Sequence, residues 1–259
     1  MTPLDATPEP GIFAVSRAAA EKAGFSSFRH IRSTGSTNAD LANEARAGEC
    51  SAAVLVTDHQ SEGRGRLDRT WVDDAGGQLM VSMRIPMTWA DVSLIGPAVA
   101  VLVRSAVAAD GVPALIKWPN DLGVRRRDGS FSKLAGYLGE YVDGAEPTVI
   151  LGMGLNVETA PFEGSASVHG EGGSISRDDI LAALLGGLRG LLAEPSRVRD
   201  ELLAHSATIG MRVRVQRADS ELVGEAVGLD DTGALQVRSG GVVHTVSVGD
   251  VVHLRTTTD

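Results

Sequence analysis

"AAVLVTDHQSEGRGRLDRTW", residues 52–71, holds two kinds of chain in twenty positions. Its first part, "AAVLVTDH" (52–59), is a short run of branched apolar residues, and a run of that length and branching reads as a buried strand. The strand delivers the chain directly into "GRGRLDR" (63–69), where three arginines and two glycines share seven positions. Glycine at 63 and 65 lets backbone amides approach an anion, and Arg64, Arg66 and Arg69 supply forked donors for phosphate or carboxylate. The stretch is not a P-loop, because the lysine and hydroxyl of GxxxxGK[ST] are missing, and it does not match GxGxxG. A solvated surface loop is the plain alternative.

Outward from this strand the elements alternate irregularly. Residues 1–27 read as a flexible N-terminal segment, proline-rich and polar to residue 11, with two possible helical turns over Val15–Ala23. From Phe28 a short apolar segment leads to "STNAD", with an N-cap at Ser36 or Thr37 and Asp40 placed as in a capping box. "QLMVSMRI" (78–85) is a strand, and Asp91–Ala109 is a long helix in which Pro97 marks a kink or an early turn. "ALIKWPNDLGV" (114–124) and "KLAGYLGEYV" (133–142) read as strands joined by a turn at Asp128–Gly129, and "PTVILGMGLNV" (147–157) as a third. Ser176 with Asp179 caps a helix to about Leu192, and another follows Pro195. The expectation is an α+β domain over 28–208 built on a mixed β-sheet with helices. After Ile209 the texture becomes short alternating strands, which predicts a small SH3-like β-barrel over 209–259.

Composition limits the partners. With 24 Lys and Arg against 33 Asp and Glu, the net charge is −9 and the sequence pI about 5.2. No global positive field exists to hold DNA or an anionic membrane, so any polyanion is met by local patches. A single cysteine, Cys50, excludes an internal disulfide and fits a reducing cytoplasm. The six histidines are scattered, with none of the spacings of a metal site, and no metal ligand is assigned. The N-terminus does not read as a signal peptide, and no unbroken apolar run of spanning length is apparent.

Further along, "KWPND" (117–121) offers Lys117, an apolar wall in Trp118, a rigid turn, and the polar pair Asn120 and Asp121. An exposed ion pair and a core tryptophan are the bland readings of the same residues. "KLAG" sets Lys133 among small residues. "GMGLN" (152–156) combines glycines that permit close backbone approach with Asn156, which can both donate and accept toward a base or sugar.

Taken in order, "GSTNAD" (35–40), "HQSEGRGRLDRTW" (59–71), "KWPND", "KLAGYLGE" (133–140) and "GMGLNV" (152–157) resemble the biotin protein ligases, from about Phe28 to the C-terminus. The resemblance implies a catalytic domain like that of class II synthetases and biotin ligases, followed by the small barrel. It implies ATP, Mg2+ and biotin as ligands and a biotinyl-5'-AMP intermediate. The acceptor would be a lysine of the biotin carboxyl carrier protein or domain of an acyl-CoA carboxylase. Carried over, Ser36, Thr37 and Gln60 bind the ureido end of biotin, with Gly63, Arg64 and Gly136 nearby. Lys133 lies between the biotin carboxyl and the α-phosphate. Arg66 and Arg69 face the phosphates, while Trp71, Gly152, Gly154 and Asn156 line the nucleotide. Lys117, Asn120 and Asp121 complete the region of phosphate and acceptor lysine; Lys133, Arg66 and Asp121 are the residues expected to act in catalysis.

Three positions depart from the family pattern, which commonly has alanine at Glu62, a basic residue or histidine at Leu67, and glycine at Asp68. Acids beside the arginines weaken anion attraction or hold an arginine in waiting. A lipoate ligase of the same fold is the nearest alternative. A biotin-responsive repressor is a second, against which stand the negative net charge and the short stretch of about 27 residues that precedes the matching region. A carrier-binding scaffold with a decayed site is a third. A cytoplasmic monomer that binds neither DNA nor membrane is the expectation.

Overall fold

The computed structural model describes residues 11–67, 69–73, 77–144, 146–216, 220–247 and 249–254. Residues 1–10 and Asp68, on which two of the expectations bear, lie outside that set. The first layer is a seven-stranded mixed sheet in the order β1-β2-β3-β7-β6-β5-β4. Its strands are β1 (Ser27–Thr34), β2 (Ala53–Gln60), β3 (Gln78–Pro86), β4 (Leu115–Lys117), β5 (Asp121–Arg125), β6 (Phe131–Val142) and β7 (Thr148–Asn156). β1 and β2 run parallel and the other pairs antiparallel.

Alternation along the strands decides what lies on each face. Leu79, Val81, Met83 and Ile85 of β3, with Val149, Leu151, Met153 and Leu155 of β7, enter the main core. That core is covered by α3 (Val92–Ala109) and α4 (Arg177–Leu192), with α1 (Ala14–Ala23) and α5 (Pro195–Ala204) beside them. On the opposite face α2 (Thr37–Arg46) buries Leu41, Ala42 and Ala45 against Ala53, Leu55 and Ile150. α2 is short, so it covers only part of its face.

Three expectations change. Residues 11–27 are not a loose segment: α1 packs on α4, Phe13 and Phe25 are buried, and Asp178 accepts the backbone N–H groups of Val15 and Ser16. These contacts tie down the first turn of α1, whose N–H donors have no partner within the helix. "ALIKWPNDLGV" is a hairpin, with Lys117 paired to Asp121 and a cis Trp118–Pro119 peptide in its turn. Proline has no N–H for a ladder, so the strand breaks there. Finally, α3 is 18 residues long with a mean hydropathy of 1.9, long and apolar enough to cross a bilayer by length and composition. Here it buries Leu94, Ile95, Val99, Val103 and Val107 in the core instead.

The C-terminal part is a five-stranded antiparallel sheet in the order β11-β10-β9-β8-β12. It comprises β8 (Arg212–Gln216), β9 (Glu221–Leu229), β10 (Leu235–Ser239), β11 (Val242–Val246) and β12 (Asp250–His253). It is tied to the first layer by backbone bonds between Ile116 and the His205–Ala207 segment, and by the Trp118 indole, which donates to the Gly233 carbonyl at 3.1 Å.

Candidate active site

The part of its sheet face that α2 leaves uncovered is an open cleft. Its floor follows from alternation: Gly152 and Gly154 of β7 and Gly136 of β6 present no side chain there, while Ser82 of β3 presents a small polar one. Ser36, Thr37, Gln60, Arg64, Arg66, Arg69, Trp71, Lys117, Asn120, Asp121, Lys133, Gly136, Gly152 and Gly154 all line this one cleft. They come from α2, the end of β2, the arginine segment, the β4–β5 hairpin, β6 and β7.

At one end, Ser36 is the N-cap of α2, and Asp40 accepts the Thr34 hydroxyl at 2.6 Å rather than closing a capping box. The Thr37 N–H has no partner within its helix and donates to Gln60 Oε1 at 2.8 Å. In the middle, Lys133 Nζ is 2.6 Å from Asp121 Oδ1 and 5.6 Å from the centre of the Trp71 ring. The Trp71 indole lies flush on β7, where a Cβ on Gly154 would come within 2.3 Å of its Cε2 atom. Any side chain at 154 would expel the ring.

The arginine segment is a hairpin folded back on itself. Trp71 N–H donates to Gly63 O at 2.9 Å, Gly65 N–H donates to Arg69 O at 2.7 Å, and Arg64 bridges Thr70. The Gly65 amide is therefore spent inside the hairpin and not offered to an anion. Glycine is required at 63 for a different reason: a Cβ there would lie 2.8 Å from the Trp71 carbonyl. The left-handed residue at the tip is Leu67, with φ 55°. Arg66 reaches across the cleft, donating to Asn120 Oδ1 at 3.2 Å and to the Gly249 carbonyl of the C-terminal part at 3.0 Å. Among the described residues its waiting partners are thus neutral oxygens.

Two expected residues do not reach the cleft. Gly63 sits at the base of the hairpin. Asn156 lies on the same face of β7, one step beyond Gly154, and is buried there, accepting from Gln78 Nε2 at 2.9 Å and donating to the Ala166 carbonyl at 2.9 Å. Gln78 Oε1 in turn accepts the Trp71 indole N–H at 3.1 Å, so Asn156 supports Trp71 through Gln78. Asn38, Ser82 and Val251 line the cleft and were not anticipated. Asn38 directly follows Thr37, and Ser82 is the polar interruption at every second position of an apolar strand; both signals were present in the sequence.

A model of the biotin/lipoate A/B protein ligase family matches residues 30–156, and one of the biotin protein ligase C terminal domain matches residues 208–254. The biotin–[acetyl-CoA-carboxylase] ligase of Mycobacterium tuberculosis is 37% identical, over 87% of this chain and 88% of its own length. This chain belongs to the biotin protein ligase family. The bifunctional ligase/repressor BirA of Escherichia coli is 28% identical over 85% of this chain and 71% of its own length. The fold of the family is also met in the biotin protein ligase from Aquifex aeolicus in complex with biotin and ATP. That structure is 21% identical, has a TM-score of 0.73, and aligns over 90% of this chain and all of its own.

Proposed function

We infer that this chain, as a biotin protein ligase, activates biotin with ATP and transfers it to a lysine of a carboxylase's biotin carrier domain. In the first step a carboxylate oxygen of biotin attacks the α-phosphorus and pyrophosphate leaves, giving biotinyl-5'-AMP. In the second the lysine amine attacks the acyl carbon, AMP leaves, and the amine gives up a proton as the amide forms. The observation that carries the assignment of roles is the gathering of Lys133, Asp121, Arg64, Arg66 and Arg69 around one glycine-floored cleft.

In this reading the Ser36, Thr37 and Gln60 end takes the ureido ring and Arg64 lies alongside it. Lys133 stands where charge builds on the attacked phosphorus, a position in which a preorganised cation lowers the barrier. Arg66 and Arg69 hold phosphate oxygens, Trp71 walls the nucleotide, and Lys117 and Asn120 border the phosphate end. Asp121 orients the Lys133 ammonium and is placed to accept the proton from the incoming amine. Mg2+ belongs to the nucleotide here. Among the described residues no three His, Cys, Asp or Glu side chains gather to hold an ion, and Asp121 is the carboxylate that lines the cleft. The protein works in this reading as a cytoplasmic monomer, with residues 28–208 as the catalytic unit and 209–259 closing one side of the cleft.

Pyrophosphate release measured with biotin, with lipoate and with neither tests the substrate, and release with lipoate alone would overturn it. Lys133→Ala should lower biotin-dependent release by about 10²- to 10³-fold, the usual consequence of removing one such charge. Near-parental release by a folded variant would remove Lys133 from the chemistry.

A further inference from the structure

The ureido end of the cleft holds a chain of hydrogen bonds whose direction can be worked out from its two ends. At one end Asn38 Nδ2 donates to the Leu138 carbonyl at 3.2 Å; a carbonyl can only accept, so the Asn38 amide is fixed with Oδ1 on its other side. Ser82 donates its hydroxyl proton to that Oδ1 at 2.6 Å. At the other end the Thr37 backbone N–H can only donate, which fixes Gln60 with Oε1 toward it at 2.8 Å. The Thr37 hydroxyl stands between these two fixed groups, 2.7 Å from Ser82 Oγ and 3.0 Å from Gln60 Oε1. Ser82 has already spent its proton and Gln60 Oε1 has none, so both neighbours of Thr37 accept. The single Thr37 proton goes to one of them, and toward the cleft its oxygen offers only lone pairs.

We propose that Ser82 and Asn38 are positioning residues that lock Thr37 as a hydrogen-bond acceptor and so make the site selective for a ligand edge that donates an N–H. Gln60 completes the edge from the other side. With Oε1 occupied, its Nε2 donates only weakly, to Met80 Sδ at 3.6 Å, and keeps a proton for a ligand carbonyl. An acceptor beside a donor is the complement of the N–H and C=O of a cyclic urea. Gly152 belongs to the same device, since a Cβ there would lie 2.2 Å from Asn38 Oδ1 and break the chain at its anchored end. The proposal rests on the placement of the biotin ring argued above.

The test compares biotin with an analogue in which a ring N–H is replaced by oxygen, a cyclic carbamate that presents an acceptor to Thr37. Pyrophosphate release is followed for the parent, Ser82→Ala and Ser82→Cys, the last keeping the volume with a far weaker donor. The parent should prefer biotin by roughly 10-fold or more in kcat/KM, the effect of facing two acceptors across a buried contact. Ser82→Ala should raise the KM for biotin about 3- to 10-fold with kcat within twofold. It should also narrow the preference for biotin at least threefold, because only Gln60 Oε1 at 3.0 Å then competes with the ligand for the Thr37 proton. Ser82→Cys should shift both quantities the same way, and it decides the matter if the alanine variant does not fold. Folded variants that keep the parental preference, or that lose both ligands equally, overturn the proposal. A parent that releases no pyrophosphate with biotin overturns the functional reading instead.

Discussion

The phenol of Tyr137 is buried on the helix side of the sheet, close to Gly96 of α3, and its hydroxyl has no hydrogen-bond partner among the described residues. Burial first, and the Asp121 carboxylate second, push its pKa far above the usual phenol range. An unpaired buried donor costs the fold its desolvation, so Tyr137→Phe should leave stability unchanged or raise it by up to about 1 kcal/mol. A urea melt in which the variant falls by more than that would show a partner for the hydroxyl. At this scale the sequence was a good guide to residue type and a poorer one to address. Asn156 was singled out for its amide, yet that amide is consumed by Gln78 and Ala166. Ser82, unremarkable in an apolar strand, is the polar group at the cleft. Side-chain direction depends on strand register, which "QLMVSMRI" alone does not fix.

Among the elements, the arginine hairpin carries the clearest local conflict. Its tip residue, Leu67, has a left-handed backbone that places Cβ against the following carbonyl, a conformation costing roughly 1–2 kcal/mol for an L-residue. Leu67→Gly removes that strain but adds freedom to the open chain, which returns part of the gain. The net expectation is a hairpin closed somewhat more of the time, with exchange of the Gly65 and Trp71 amide hydrogens slowed about two- to fivefold. Unchanged or faster exchange would mean that Leu67 is relaxed in the open form as well. The two glycines of "GRGR" invited a reading in which they bring backbone amides close to an anion. Their work is steric instead: at 63 the chains approach too closely for a side chain, while the positive φ falls where no glycine stands. Most other elements were legible, because caps at Ser36 and Ser176 and the apolar runs of β2, β3 and β7 are local signals. The β4–β5 hairpin was misread as a strand because its flanks are apolar enough to mask the break at Pro119.

Over the whole molecule, His253 joins the C-terminal sheet to the first layer. Its Nε2 is 3.2 Å from the Thr208 hydroxyl, its ring meets Phe131 edge-on, and Lys117 and Arg125 face it. Burial, then the charges of Lys117 and Arg125, lower its pKa to about 4 from 6.5. The neutral ring is therefore the folded form, and the stability it contributes is fully present above pH 6.5. As the pH falls toward 4 the unfolded chain takes up a proton that the folded one refuses, and this contribution is lost. Allowing for the ring's partial exposure, the loss is on the order of 1–2 kcal/mol. His253→Gln should flatten that part of the profile in urea melts at pH 7.5 and 5. A variant whose stability falls over that interval as the parent's does would assign the loss to other groups. The division into a mixed-sheet part and a small β part was readable from the change in texture at Ile209. The joint between them was not, since it depends on side chains far apart in sequence.

The glycine floor has an architectural meaning. Helices cover one face of the large sheet, whereas on the other α2 stops short and Gly136, Gly152 and Gly154 leave bare backbone beside it. Here the polypeptide stops one layer short over part of a face, and in the proposed reading the small molecule that settles there becomes the missing masonry of a three-tier wall.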